Sequence, residues 1–195
     1  MKVLGLTGSI AMGKSTVAGM FRAQGVPVFD ADATVHRLLA GGGRAVTPVA
    51  RAFPESMKGD AIDRAALGAV VFADTSKRKA LERILHPMVA EERNRFLGTM
   101  RLRGARLVVL DIPLLFEAGR ERLCHRVAVV SAPPWRQRRR LMARPGMTAG
   151  RMQAILDAQM ADARKRQLAD IVIRTGVSKW ETRRQVRRII RTMGG

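Results

Sequence analysis

Apolar residues recur along this chain with two periods, and the switches between them predict the layout of the fold. Val3-Leu4-Gly5-Leu6-Thr7 is a short, nearly continuous apolar run that ends in a glycine-rich turn, so it reads as a buried strand feeding a loop. From Lys14 to Gln24 the apolar positions, Val17, Ala18, Met20 and Phe21, move to helical spacing, and Gly25 supplies a stop. Val26-Pro27-Val28-Phe29 is a second strand, ending at Asp30-Ala31-Asp32. Its apolar residues do not alternate with polar ones, as expected where helices cover both faces of a parallel sheet.

From Thr34 to about Gly104 the pattern changes to helices joined by turns. Gly41-Gly42-Gly43 breaks the first, Asp63 is placed to cap a helix carrying Leu67, Val70, Val71 and Phe72, and His86-Pro87 predicts a break between two more. Strand–helix alternation then resumes. Arg106 to Ile112 and Arg126 to Ser131 read as strands, helices follow from about Pro134 and Thr148, and Asp170 to Arg174 is a last strand. Ser178-Lys179-Trp180-Glu181 has capping-box spacing and opens a basic C-terminal helix. The expected architecture is one α/β domain with about five parallel strands and a helical insertion.

Composition narrows this picture only slightly. A chain of 195 residues with 47% hydrophobic and 27% charged side chains can bury one sizeable core. No apolar run approaches the roughly 20 residues that span a bilayer, and the single cysteine, Cys124, reads as a small buried hydrophobe; both fit a cytoplasmic protein with no membrane partner. The formal charge of +20 asks for an anionic partner, which could be nucleic acid, a membrane surface or a polyphosphate metabolite. Much of the excess is arginine, six of them from Arg136 to Arg151 and a second cluster in Lys179 to Arg191 that reads as a solvated helix face. With six Phe, two Trp and no Tyr there is no interleaved stacking platform, which makes nucleic acid an improbable main ligand. His36, His86 and His125 have no metal-site spacing and read as structural or surface residues.

The candidate chemistry starts at residues 8–16. Gly8-Ser9-Ile10-Ala11-Met12-Gly13-Lys14-Ser15 matches G-x-x-x-x-G-K-[ST] between a strand and a helix, and Thr16 follows inside the helix. Backbone N–H groups of such a loop converge on phosphate oxygens, and the helix N-terminus adds its positive dipole end. Lys14 supplies an ammonium for the β- and γ-phosphates, and the Ser15 hydroxyl can ligate Mg²⁺. The loop alone fits a switch, a motor, a nucleic-acid ATPase or a small-molecule kinase. Asp32, just beyond the second strand, could accept the proton of an attacking hydroxyl or cap the helix after it. Asp111 closes the apolar run Leu107 to Leu110 in the arrangement that holds Mg²⁺, or is a plain strand-end acid. Gln137, Arg140 and Arg144 lie at i, i+3 and i+7 and are expected to share a helix face, from which guanidinium groups could stabilise a transferring phosphoryl.

Together these pieces resemble the dephospho-coenzyme A kinase family of P-loop kinases. The resemblance rests on GLTGSIAMGKSTVA, PVFDAD, GG with AV, IDR followed by VF, LHP, DIPLLFE, the Gln137/Arg140/Arg144 spacing, and AQ leading through Lys165 to ADIVI, in order from residue 4 to about 173. It implies a three-layer α/β/α P-loop kinase fold: a core of about 1–33, 105–134 and 150–195, a CoA-binding insertion at about 34–104, and a lid at about 135–149. It implies transfer of the ATP γ-phosphate to the ribose 3′-hydroxyl of dephospho-CoA, giving CoA in the last step of its synthesis. Asp32 maps to the base, Arg140 and Arg144 to the lid arginines, and His86 and Pro113 to Glu117, Leu115 among them, to the acceptor pocket.

Four positions depart from the family pattern. Ala11 stands where the family usually has glycine, so the loop must tolerate a Cβ there. Arg174-Thr175 replaces a frequent Asp-Asn, which removes an expected Asn contact to the adenine base. His125 replaces a common acid, and of the Gln159-to-Lys165 spacing only Lys165 is carried over as a nucleotide or substrate contact. Two other readings compete: a P-loop kinase of another small acceptor, such as a nucleoside or sugar acid, and a nucleotide-dependent nucleic-acid-binding protein.

Overall fold

The computed structural model describes residues 1–195 apart from the side chain of Ala73. In chain order the elements are β1 (Lys2–Thr7), α1 (Lys14–Arg22), β2 (Val28–Asp30), α2 (Ala31–Leu39), α3 (Val46–Ala52), β3 (Met57–Lys58), β4 (Ala61–Ile62), α4 (Arg64–Ala73) and α5 (Thr75–Leu102). There follow β5 (Leu107–Asp111), β6 (Arg126–Ser131), α6 (Pro134–Met142), α7 (Ala149–Asp157), α8 (Asp162–Leu168), β7 (Ile171–Arg174) and α9 (Lys179–Gly194).

The main sheet has five strands in the order β2-β5-β1-β6-β7, and β1 runs parallel to both of its neighbours. Alternate residues explain the continuous apolar runs. Leu4 and Leu6 of β1, Val109 of β5 and Val130 of β6 pack with Val17 and Phe21 of α1 and with Val186 and Ile189 of α9. Val108, Leu110, Val127 and Val129, one residue out of step, are also buried, so the sheet is covered on both faces. Each fully buried side chain of this kind contributes roughly 1.5–3 kcal/mol. Because the chain leaves β1 for β2 and β5 on one side and reaches β6 and β7 on the other, β1 marks the switch point, and its carboxyl end is where such sheets take ligands.

The chain divides into two compact units, residues 1–29 with 99–195, and residues 30–98. The second unit has its own apolar core of Leu38, Leu39, Val49, Phe53, Ile62, Leu67 and Leu85. Asp63 caps α4 as expected, accepting from the N–H groups of Ala65 and Ala66.

The expected break at His86-Pro87 is absent, because α5 runs unbroken for 28 residues with Pro87 inside it. An interior proline removes one hydrogen bond and crowds the carbonyl four residues back. Leu81, Ile84, Leu85, Met88 and Val89 pack on the core on both sides of that defect, and tertiary burial overrides the local signal. The two-residue hairpin β3–β4 and helix α8 were not foreseen. Among the described residues no helix is long and apolar enough to cross a membrane.

Candidate active site

The loop between β1 and α1 is shaped by two glycines and one alanine. A Cβ on Gly8 would stand 2.7 Å from the Val130 carbonyl oxygen, so only glycine lets β1 turn beside β6. Gly13 takes a φ of 95° at the N-cap of α1. Ala11 has a φ of 60°, a left-handed conformation that costs an L-residue energy and that glycine adopts freely. Met12, almost fully buried, pins the loop from beneath, and its Sδ accepts from the Ala132 N–H at 3.2 Å. The first turn of α1 has no acidic residue, which leaves its positive end open to an anion.

Lys14 and Asp111 meet under this loop as an ion pair, the carboxylate only 3% exposed and the ammonium 17%. The sheet register explains the meeting: Asp111, last residue of β5, lies beside Leu6 near the end of β1. The hydroxyls of Thr7 and Ser9 are buried close by in sequence without a hydrogen-bond partner among the described residues. Ser15 and Thr16 are exposed in the first turn of α1. These groups fit a polyphosphate with its cation, since they supply N–H, ammonium and hydroxyl donors on one side and a carboxylate oxygen on the other. Beside the loop opens a cavity of about 930 Å³, bordered by Ser9, Pro133, Gln137, Gln159, Arg174 and Val177.

Neighbouring elements hold the loop from outside. Arg140 donates to the Ala11 carbonyl at 3.1 Å and to the Thr175 carbonyl at 3.0 Å, so its guanidinium braces the loop in this structure. Arg144 falls beyond the end of α6 at Met142 and is exposed, so the face expected to run through Gln137, Arg140 and Arg144 stops short of the last. Thr175, where an Asn was expected, spends its hydroxyl on the Met12 carbonyl. His125 accepts the Val3 N–H on Nδ1 at 3.0 Å, doing the acceptor's work of the acid it replaces.

Set against known proteins, residues 2–179 match the family model of dephospho-CoA kinase. A curated dephospho-CoA kinase from Paramagnetospirillum magneticum is 57% identical over 166 residues, covering 85% of this chain and 78% of that protein. Another, from Rhizobium meliloti, is 49% identical over 190 residues and 97% of both chains. The chain belongs to the dephospho-CoA kinase family. A crystal structure of a Thermus thermophilus protein, 37% identical, superposes with a TM-score of 0.86 over 98% of this chain and 96% of that one. Membership of the dephospho-CoA kinase family makes the chain an ATP-dependent phosphotransferase on the α/β/α kinase fold, and leaves the roles of individual residues to be argued from geometry.

Two residues expected at a ligand turn out to be interior. Leu115 is fully buried in the core, while its neighbour Leu114 takes a φ of 52° and is 41% exposed. Lys165 has no exposed side-chain surface, and its ammonium stands 2.8 Å from Glu117 Oε1 as an ion pair. Glu117 also accepts the Met160 N–H, so this pair ties the DIPLLFE turn to the segment before α8. Burial pushes the Glu117 carboxyl up, but the Lys165 ammonium and backbone N–H groups outweigh it and hold it below the usual carboxylate range.

In the helical unit, Asp30, not Asp32, caps α2, accepting the Ala33 N–H at 2.9 Å. Asp32 is exposed in the first turn of α2, and its carboxylate has no hydrogen-bond partner among the described residues. His86 is exposed on α5. The groups that sequence reasoning missed are Gln159 as a support of the phosphate loop and Glu117 as partner of Lys165. Their one sequence signal was their place inside stretches quoted for the family resemblance.

Proposed function

We propose that residues 8–16 hold the phosphates of ATP, that Lys14 moves from Asp111 onto the β- and γ-phosphates, and that Asp32 serves as base toward the 3′-hydroxyl of dephospho-CoA. The O3′–P bond forms as the bond from the γ-phosphorus to the β–γ bridging oxygen breaks. The hydroxyl proton passes to the Asp32 carboxylate, and ADP leaves with CoA. Ser15 and Asp111 are the oxygen donors for Mg²⁺, which when bound would neutralise charge between the β- and γ-phosphates. Arg140, already against the loop, and Arg144, on the lid of about 135–149, add positive charge around the transferring group. His86 and the turn at Pro113 to Glu117 border the acceptor, and the helical insertion binds it.

The observation that supports this most is the Lys14–Asp111 pair, its carboxylate buried, beside a loop with left-handed residues at Ala11 and Gly13. An ammonium and a carboxylate side by side are the two kinds of group that a polyphosphate and its cation would require. A coupled assay of ADP release tests the reading with dephospho-CoA, a nucleoside, shikimate and gluconate as acceptors. Stimulation by dephospho-CoA alone, with phosphate on the 3′-oxygen of the product, is the expected outcome. No stimulation by dephospho-CoA would overturn the reading.

A further inference from the structure

Three successive carbonyls of the phosphate loop point outward, and each is met by a side chain from another element. Gln137 Nε2 donates to the Ile10 carbonyl at 2.9 Å, Arg140 to the Ala11 carbonyl, and the Thr175 hydroxyl to the Met12 carbonyl. On the same peptide stretch the Ile10 N–H, turned away from the loop interior, donates to Gln159 Oε1 at 3.0 Å. Gln137 is 7% exposed, on α6, and Gln159 follows α7, so the two glutamines clamp both polar groups of Ile10 from different elements. The residue they precede is Ala11, one of two non-glycine residues with positive φ among the described residues.

We infer that Gln137 and Gln159 are positioning residues that hold the loop in the left-handed turn at Ala11 needed to bind ATP. A strained alanine escapes to an ordinary backbone conformation unless its flanking peptide is fixed at both ends. Here the Ile10–Ala11 peptide is held at its C=O by Gln137, and the Ser9–Ile10 peptide before it is held at the Ile10 N–H by Gln159, so Ile10 is fixed on both sides. Loss of the clamp lets the loop populate relaxed forms, and apparent ATP affinity falls by the fraction that remains competent. Glycine at position 11 has no such preference, so the clamp should matter far less there. This rests on the reading that residues 8–16 bind ATP.

The test is the Kd for ATP, measured by calorimetry on the full chain, in a cycle of Gln137→Ala/Gln159→Ala with Ala11→Gly. With Ala11 in place, loss of both glutamines should raise Kd about tenfold, while Kd for dephospho-CoA stays within about twofold. In the Ala11→Gly background the same loss should raise it only about twofold. An equal fold-loss in both backgrounds would overturn the inference, since glutamines that merely stabilise the fold do not sense residue 11. Should the double variant unfold, Gln159→Glu and Gln137→Glu give a second arm with matched charge. Glutamate still accepts the Ile10 N–H at 159 but cannot donate to its carbonyl at 137, so Gln137→Glu should weaken ATP binding at least about fivefold more. Equal weakening would contradict the clamp. A wild-type chain that binds no ATP would overturn the reading of the loop itself, and the inference with it.

Discussion

The two units handle charge in opposite ways. The unit of residues 1–29 and 99–195 carries 25 of the 36 basic side chains and 7 of the 16 acidic ones, a formal +18 of the +20. Residues 30–98 are nearly balanced, and some of their arginines pair with acids at the surface, as in Arg44–Glu91 and Arg95–Glu92. Such exposed pairs are screened by water and add little to stability. In the larger unit Lys14–Asp111 and Lys165–Glu117 are largely buried, where a charge is costly without its partner. ATP and dephospho-CoA are both polyanions, and the excess of positive charge lies on the unit that bears the phosphate loop. The contrast teaches that the +20 need not mean nucleic acid: nearly all of it lies on the unit that bears the loop, in a chain whose family uses ATP.

If that contrast is sound, single changes in the two units should differ in size. Glu117→Ala leaves the Lys165 ammonium fully buried beside no anion, and should destabilise by about 3–5 kcal/mol in urea unfolding. A cost near that of a surface pair would erase the distinction. The same pair predicts a pH dependence. The Glu117 carboxyl lies below its unfolded value of about 4.3, so its contribution is present above that pH and lost as pH falls through the lower folded value. Glu117→Gln should therefore flatten the acid limb of the stability curve below about pH 4.3 while leaving its slope near pH 7 unchanged. In the helical unit, Asp63→Ala removes a helix cap at the surface and should cost only a small part of the Glu117→Ala loss by the same measurement.

What could be read from the sequence was what local chemistry dictates. The phosphate loop, the strands of the main sheet and the Asp63 and Ser178 caps each follow from residues within about ten positions of one another, and the structure contains them. Illegible features depend on distant partners. Pro87 reads as a break because propensity is local, whereas the packing that carries α5 through it is not. Lys165 is read as a ligand contact through the family resemblance, whereas its partner in the fold, Glu117, lies 48 positions earlier. Leu115 and Leu114 differ only in backbone conformation, and no pattern of side chains says which one turns inward. At the candidate site the loop residues and Asp111 were legible from spacing, while the outward clamp of Ile10 by Gln137 and Gln159 needed the fold.

The role proposed for Asp32, exposed in the first turn of α2, is that of base in the phosphoryl transfer. Steady-state kcat of Asp32→Asn with saturating ATP and dephospho-CoA, alongside its Kd for ATP, tests it most directly. A kcat lower by about 100-fold or more with ATP affinity within about twofold of wild type is the predicted result. Undiminished kcat would contradict it.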